Sequence, residues 1–420
     1  YKQVGGMWAT DNQVWLGSED ELGLFINGKK IKTYDLYSHE LVYNTHINTI
    51  YEDRQKRLWL GTYKNGILLY KPDKQEIVHI SSSLFNNLDV RCFYEDQNGK
   101  MWIGTETGIY SCTNEVLVKE EEIQKQLPDI MVHSLLRDKE GKLWVGTFGK
   151  GISIFDVNNT LLWNFVIENG FCSNAVNHMI KDSEEQIWVA TRDGLAVFKN
   201  TSQPNRYKIF KEKEGLENSH IRAICEDLEK RIWISSNDGI SCLDPKQNLF
   251  YNYNHHDGVP MGDFMNGSTC MTHNGIIYFG SQNGACFFNP KELSSIRQVS
   301  PVKITQFCKY NKKTESKDAE ISIPFKKGVV HLPYNQNSFR ITFNVLDYTQ
   351  SPQVEFTYML EGLENRWYDT QGENQVIFRN IPPGKYNFKV RTRIRNQEWD
   401  KEIASLNIFI APPLWLTWYA

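Results

Sequence analysis

An aromatic residue recurs seven times along the chain at intervals of 42 to 45 residues, each time inside a short β-type phrase that ends in a glycine turn. The anchors are Trp15, Trp59, Trp102, Trp144, Trp188, Trp233 and Tyr278, in phrases such as LWLGTYKNGILLY, LWVGTFGKGISIF and IWISSNDGISCL. A period of that length with strand rather than helix patterning is the signature of a four-stranded propeller blade. Seven anchors predict an all-β fold built on one closed ring of seven blades. Such a ring confines binding chemistry to its rim loops and central channel.

Blades of about forty residues account for roughly 300 of the 420 residues, so a second, smaller domain is expected. The 12 Trp, 20 Tyr and 22 Phe supply enough apolar bulk for both cores and favour sheet. A net charge of −3 with both signs interspersed gives no basic field for nucleic acid and no polybasic membrane patch. The eight cysteines form no CxxC pair and no zinc spacing, and Cys92, Cys225, Cys242 and Cys286 fall within predicted strands, so they read as small apolar core residues. No run of about 18 apolar residues is present to span a bilayer. The chain begins at Tyr1 without a charged-then-apolar leader and reads as an excised or processed segment. Its end, Pro412 to Ala420, is proline-marked and aromatic, as segments just outside a membrane span often are.

One repeat serves for all. Val132–Arg137 alternates as an inner strand, Asp138 to Lys142 forms a turn, Leu143–Thr147 makes a second strand and Ile152–Phe155 a third. An outer strand from Leu162 to Val166 precedes a return loop through Asn169 and Gly170. An aspartate stands six positions before five of the anchors, as Asp53, Asp96, Asp138, Asp182 and Asp227. Five copies argue against catalysis, whereas Asp opening a tight turn accepts backbone amides. Gly66, Gly108, Gly151, Gly194, Gly239 and Gly284 mark positions that tolerate positive φ. They lead into strands rather than helices, so they cradle no phosphate, and no cofactor motif appears. The anchor tryptophans are expected between neighbouring sheets, as core rather than sugar platforms.

The period ends after Asn289-Pro290, and a serine-marked linker (Ser294, Ser295, Ser300) leads to strands at Val302 to Phe307, Phe339 to Val345, Phe356 to Leu360, Val376 to Phe378 and Lys385 to Arg391. A charge-rich stretch from Asn311 to Glu320 reads as a solvated loop. Short alternating strands with Pro382-Pro383-Gly384 predict an antiparallel sandwich of immunoglobulin/fibronectin-III type. The expected domains are a propeller over 1–298, a sandwich over 299–413 and a juxtamembrane tail over 414–420.

The inner-strand endings Tyr51-Glu52-Asp53 and Tyr94-Glu95-Asp96, followed by Leu/Met-Trp-Ile/Leu-Gly-Thr and a glycine-led strand, resemble the two-component regulator propeller repeat. The second domain is similar to the triple-tyrosine (Y_Y_Y) module that accompanies it, through Tyr358 to Leu363, Trp367-Tyr368, Ile381 to Tyr386, Trp399 and Ala411-Pro412-Pro413. One usual tyrosine stands here as Phe378. The resemblance implies a periplasmic sensor region of a hybrid histidine kinase of the kind gut Bacteroidetes use to detect oligosaccharides. Its implied partners are an oligosaccharide, an upstream propeller, transmembrane and kinase parts of the same protein, and a second copy in the intact receptor. Neither a cofactor nor nucleic acid is implied for these residues, nor any catalytic activity.

Sugar recognition needs paired polar groups and aromatic faces. The residue after the first apolar position of each inner strand is polar in five repeats: Asn48, Arg91, His133, Asn177 and Arg222. Such a ring lines the channel mouth, where it either meets water or contacts a ligand. Rim turns add Tyr63, Lys64, Phe148, Arg192 and Asn237, and the long loop from Tyr253 to Phe264 adds Asp263. His255, His256 and Asp257 in that loop are consecutive and make a poor metal site. Two other classes stay open: a protein- or glycan-binding scaffold, which suits a propeller equally well, and a propeller lyase or glycosidase, whose two carboxylates about 5–10 Å apart would not be visible in sequence.

Overall fold

The computed structural model describes residues 3–19, 21–36, 45–80, 88–293, 301–309, 320–321, 329–345, 354–370, 373–394 and 399–413. The linker at 294–300, the charge-rich stretch at 311–319 and the tail at 414–420 lie outside them. The chain divides into two compact units, Tyr1–Ser295 and Ile296–Ala420.

In the first unit the described residues form seven antiparallel sheets whose strand order follows the sequence. They are β1–β4 (Gly6–Thr10, Gln13–Gly17, Glu21–Ile26, Lys29–Asp35), β5–β8 (Ile47–Glu52, Leu58–Thr62, Ile67–Lys71, Glu76–Ile80) and β9–β12 (Val90–Glu95, Met101–Thr105, Gly108–Thr113, Val116–Lys119). Next come β13–β16 (Val132–Arg137, Leu143–Thr147, Ile152–Phe155, Leu161–Phe165), β17–β20 (Val176–Lys181, Ile187–Thr191, Gly194–Phe198, Lys208–Phe210), β21–β24 (Ile221–Glu226, Ile232–Ser236, Ile240–Asp244, Leu249–Tyr253) and β25–β27 (Phe264–Met271, Ile277–Ser281, Gly284–Phe288). The first strand of each sheet packs against the first strand of the next, and β25 returns to β1, so these strands line a closed, propeller-like circuit. Two bonds lock the return: the Val4 N–H donates to the Ser281 carbonyl at 3.0 Å, and Ser268 Oγ donates to the Val4 carbonyl at 3.2 Å.

The repeated aspartates do more than close turns. In each of the five repeats that carry one, Oδ1 accepts the backbone N–H groups two and four residues on, at 2.9 to 3.1 Å for Asp53, Asp96 and Asp138 and at 2.8 to 2.9 Å for Asp182 and Asp227. The second oxygen, Oδ2, accepts the indole Nε1–H of the anchor tryptophan at 2.8 to 3.0 Å. All five carboxylates are buried, as are the indoles they hold. The tryptophans in turn pack on the following sheet: Trp59 on Phe93 at 6.0 Å, Trp144 on Phe198 at 5.0 Å and Trp233 on Phe288 at 4.7 Å. The end repeats depart from this. Ala9 stands in the aspartate position before Trp15, and Thr272, which stands there before Tyr278, accepts only the Ile276 N–H, at 3.1 Å.

The glycine reading holds with one correction. Gly151 has φ of +64°, and a Cβ there would lie 1.9 Å from the Phe165 carbonyl oxygen. Gly239 does not have positive φ; what excludes a side chain is backbone proximity, since a Cβ would fall 2.2 Å from the Tyr253 carbonyl oxygen.

The second unit has two sheets around one core. Its strands are β28 (Val302–Lys309), β29 (Glu320–Ile321), β30 (Val330–Leu332), β31 (Phe339–Val345), β32 (Val354–Glu361), β33 (Tyr368–Asp369), β34 (Gln375–Phe378), β35 (Gly384–Ile394) and β36 (Ala404–Ile410). The sheet orders are β29-β28-β31-β34 and β30-β36-β35-β32-β33, antiparallel except for the β30–β36 pair. Along β31, Phe339, Ile341, Phe343 and Val345 alternate into the core, where they meet Phe356, Phe388 and Ile408. Sequence reasoning overlooked β36, although Leu406, Ile408 and Ile410 alternate inward there. None of the eight cysteines forms a disulfide. Burial pushes the Cys225 thiol up to about 12, as suits an inert core residue.

Removing a clamp carboxylate leaves a buried indole N–H and two turn amides without their acceptor. Asp138→Ala is expected to cost about 2–4 kcal/mol in urea unfolding followed by tryptophan fluorescence, against under about 0.5 kcal/mol for Glu122→Gln on the exposed surface.

Candidate ligand-binding site

The five polar inner-strand residues share a structural cause. The pairing between first and second strands slips by one residue at Asn48, His133, Asn177 and Arg222, and likewise at Arg91, so each is the extra residue of a β-bulge. A bulged residue escapes the in/out alternation of its strand and is re-aimed. All five, together with Asp263, line one cavity of about 370 Å³ enclosed by the first strands. His178, Gln3, Asn266 and Gln282 also line it.

Around the mouth these side chains form three clusters. In the first, Arg91 pairs with Glu106 and lies 3.5 Å from Asp89 Oδ2, while Asp89 Oδ1 accepts the Lys64 backbone N–H at 2.8 Å. In the second, His133 stacks on Phe148 with centroids 4.8 Å apart, and the Arg192 guanidinium lies 5.5 Å from the same ring. In the third, Arg222 donates from Nε to Asn237 Oδ1 at 2.9 Å and from Nη1 to Asn266 Oδ1 at 3.2 Å, and pairs with Asp263 at 3.6 Å. Two asparagines bridge sheets: Asn48 Nδ2 donates to the Val90 carbonyl at 3.2 Å and Asn177 Nδ2 to the Ile221 carbonyl at 2.7 Å. Arg91 Nε, His133 Nε2 and Asn177 Oδ1 are buried with no protein partner. Groups of this kind take hydroxyls or water.

Tyr63, Phe148, Arg192 and Asn237 do not line the cavity. They occupy the rim above it. Tyr63 is exposed, with Lys64 Nζ 4.9 Å from its ring, whereas Phe148 and Asn237 back His133 and Arg222 directly. Sequence reasoning passed over Glu106 and Gln282, which fill the same register as those four, one residue after the Thr or Ser that ends six of the seven second strands. Applying that register to every repeat would have found both. Asp257, in the long loop, caps its own turn by accepting the Asn254 N–H at 3.1 Å.

Charged and titratable groups meet at the mouth. Burial, aided by Arg91, lowers the His133 pKa to about 4, and burial alone lowers that of His178 to about 4. Both rings are therefore neutral at pH 7. Burial raises Asp89, while for Glu106 the same penalty is outweighed by the bond to Arg91, which holds it below the usual range. Arg91 pairs with Asp89 and Glu106, and Arg222 with Asp263, so these two guanidinium charges are offset locally.

The two component regulator propeller family matches residues 42–64, 83–107 and 126–149, and the Y_Y_Y domain family matches residues 347–411. An extracellular domain from B. thetaiotaomicron, attributed to a hybrid two component system, is 40% identical with a TM-score of 0.88, over 98% of this chain and 56% of that one. A second such domain from the same organism is 20% identical with a TM-score of 0.56, over 98% of this chain and 57% of that one, a likeness of fold alone. Histidine kinase P4 of Formosa agariphila is 25% identical over 98% of this chain and 28% of its own length. A streptogramin B lyase shares the propeller at 12% identity with a TM-score of 0.56, over 68% of this chain and 92% of its own, which again speaks only to fold. The chain thus combines regulator propeller repeats with a Y_Y_Y domain, and over nearly its whole length it is similar to an extracellular domain attributed to a hybrid two component system. It spans about half the length of the B. thetaiotaomicron domain and about a quarter of the kinase.

The depressed histidines set a direction for pH dependence. The unfolded chain takes up protons near pH 6.5 and the folded one near 4, so stability falls as pH drops across that window and levels off below it. Chemical denaturation between pH 7 and 4 is expected to show this loss, and His133→Gln to reduce its slope. An unchanged slope would mean that His133 titrates normally.

Proposed function

We propose that this chain is the periplasmic ligand-sensing part of a hybrid histidine kinase, with an oligosaccharide bound at the channel mouth of a seven-bladed propeller. In this reading the propeller covers residues 1–298, an immunoglobulin/fibronectin-III-like sandwich covers 299–413 and a juxtamembrane tail covers 414–420. The observation that carries it is the 40% identity, spread over 98% of the chain, to an extracellular domain attributed to such a system. The mouth adds a chemical argument. Arg91, Asn177 and Arg222 offer paired polar groups, and the His133–Phe148 stack offers a flat face, the combination that holds hydroxyl-rich rings.

The domain binds without transforming its ligand. Binding alters the placement of the sandwich and tail, two copies in the intact receptor carry that change to paired kinase parts, and polysaccharide-utilisation genes respond. Propeller parts upstream share in forming the complete receptor.

A thermal-shift screen of neutral and acidic oligosaccharides tests this, run on the chain and on a longer form that includes its upstream region. One oligosaccharide class is expected to raise Tm, with Arg91→Ala and Arg222→Ala each weakening its binding about tenfold or more. No shift with any sugar in either form, together with specific capture of a protein, would favour the scaffold reading. Turnover of a polysaccharide would favour the lyase or glycosidase.

A further inference from the structure

Five repeats carry a pair of positions fifteen residues apart, the bulge residue of the inner strand and the rim residue that follows the second strand. The backbone fixes the pair in the same way in four of them. The rim N–H donates to the carbonyl two residues before the bulge, from Tyr63 to His46 at 2.8 Å, Glu106 to Asp89 at 3.1 Å, Phe148 to Met131 at 3.0 Å and Arg192 to Ala175 at 3.1 Å. In three repeats the two side chains then meet: Glu106 pairs with Arg91, Phe148 stacks on His133, and Asn237 accepts from Arg222.

The fifth repeat departs from this at both positions. Asn177 turns its amide nitrogen across to the Ile221 carbonyl, and its Oδ1 stays buried with no protein partner, in a residue only 2% exposed that lines the cavity. Arg192 is exposed and leans away, its guanidinium 5.5 Å from the centroid of Phe148 in the preceding repeat. Among the described residues it has no ion-pair partner. Asp193, next in sequence, pairs with Lys211 at 2.7 Å, Asp263 with Arg222 and Glu106 with Arg91.

The charge of Arg192 is felt nearby. Burial, followed by Arg222 and then Arg192, lowers the His220 pKa, and Arg192 adds to the lowering that burial imposes on Arg222. Of the charges acting on His220, two are guanidinium groups and one, Asp263, is a carboxylate.

We propose that Arg192 and Asn177 form an oxyanion-selecting subsite, so that the sugar recognised at this mouth is acidic and carries a uronate carboxylate or a sulfate ester. The inference rests on the sensor reading above and narrows its ligand class. The anion takes the guanidinium fork, whose N–H groups match two oxygens of one carboxylate or sulfate. A hydroxyl of the same sugar donates to Asn177 Oδ1 deeper in the wall, satisfying the buried acceptor that the fold leaves open. Phe148 acts by positioning, since an aromatic face holds a guanidinium without consuming any of its donors. Arg91 and Arg222 are already offset by carboxylates and serve neutral hydroxyls, so the preference for an anion comes from Arg192.

Titration calorimetry tests this on the chain and on its longer form, with oligosaccharides in matched pairs: oligouronates against their carboxyl-reduced forms, and sulfated oligosaccharides against their desulfated forms. An acidic member is expected to bind at least about tenfold more tightly than its neutral counterpart, and the pair that responds tells carboxylate from sulfate. Arg192→Gln should cut that preference at least about fivefold, and Arg192→Lys, which keeps the charge but not the fork, should recover part of it. Because the Arg192 side chain makes no hydrogen bond in the fold, both variants should melt with the parent. The preference should also shrink as salt is raised. Equal binding of both members of every pair, or a preference that Arg192→Gln leaves intact, overturns the inference and leaves the sensor reading standing. If no member of any pair binds to either form, both fall.

Discussion

Each complete repeat hangs on one buried carboxylate with two tasks. Oδ1 closes the turn after the inner strand through two amides, and Oδ2 holds the indole of a tryptophan that packs under the next sheet, as in Asp138 with Trp144 against Phe198. Turn geometry and core packing are therefore set by one group, and its buried charge is held by three hydrogen bonds, two on Oδ1 and one on Oδ2. Neighbouring sheets join the same turn. The Arg54 N–H donates to Glu95 at 3.0 Å and the Ser183 N–H to Glu226 at 2.7 Å, so the end of one inner strand fastens the clamp of the sheet before it.

This arrangement divides the inner strand by function. Just beyond its C-terminal end stands the clamp aspartate, the same residue in five repeats. Its N-terminal end carries the bulge, and there the residue changes from Asn48 to Arg91, His133, Asn177 and Arg222. A rim stapled at one end can vary at the other without losing the ring. The end repeats, with Ala9 and Thr272 in place of the aspartate, lack the full clamp, and the Val4 N–H bond to Ser281 and the Ser268 hydroxyl bond to Val4 supply the closure instead.

Much of this was legible in sequence because it is periodic. The inner, second and third strands of the fourth repeat, Val132–Arg137, Leu143–Thr147 and Ile152–Phe155, can be read from alternation and turn residues alone. What periodicity hides is pairing across six residues: a turn aspartate and a core tryptophan each have a sufficient separate explanation, and only the structure joins Asp138 to Trp144. The bulge is hidden for a similar reason. A polar residue after an apolar one looks like ordinary alternation at Asn48 or Arg91, and the one-residue slip shows only against the partner strand. Glu106 was missed for lack of a uniform register, and β36 was overlooked although Ser405 and Asn407 alternate outward with Leu406 and Ile408 inward, the pattern of a half-buried strand.

The claim on which the rest depends is that the aspartate and the tryptophan act as one unit. A double-mutant cycle on Asp182 and Trp188, using Asp182→Ala, Trp188→Phe and the pair, measures it directly. The account requires a coupling energy of about 1–2 kcal/mol, the worth of a buried charge-assisted bond. Additivity within about 0.5 kcal/mol would contradict it, showing turn and core to be independent features that merely recur together.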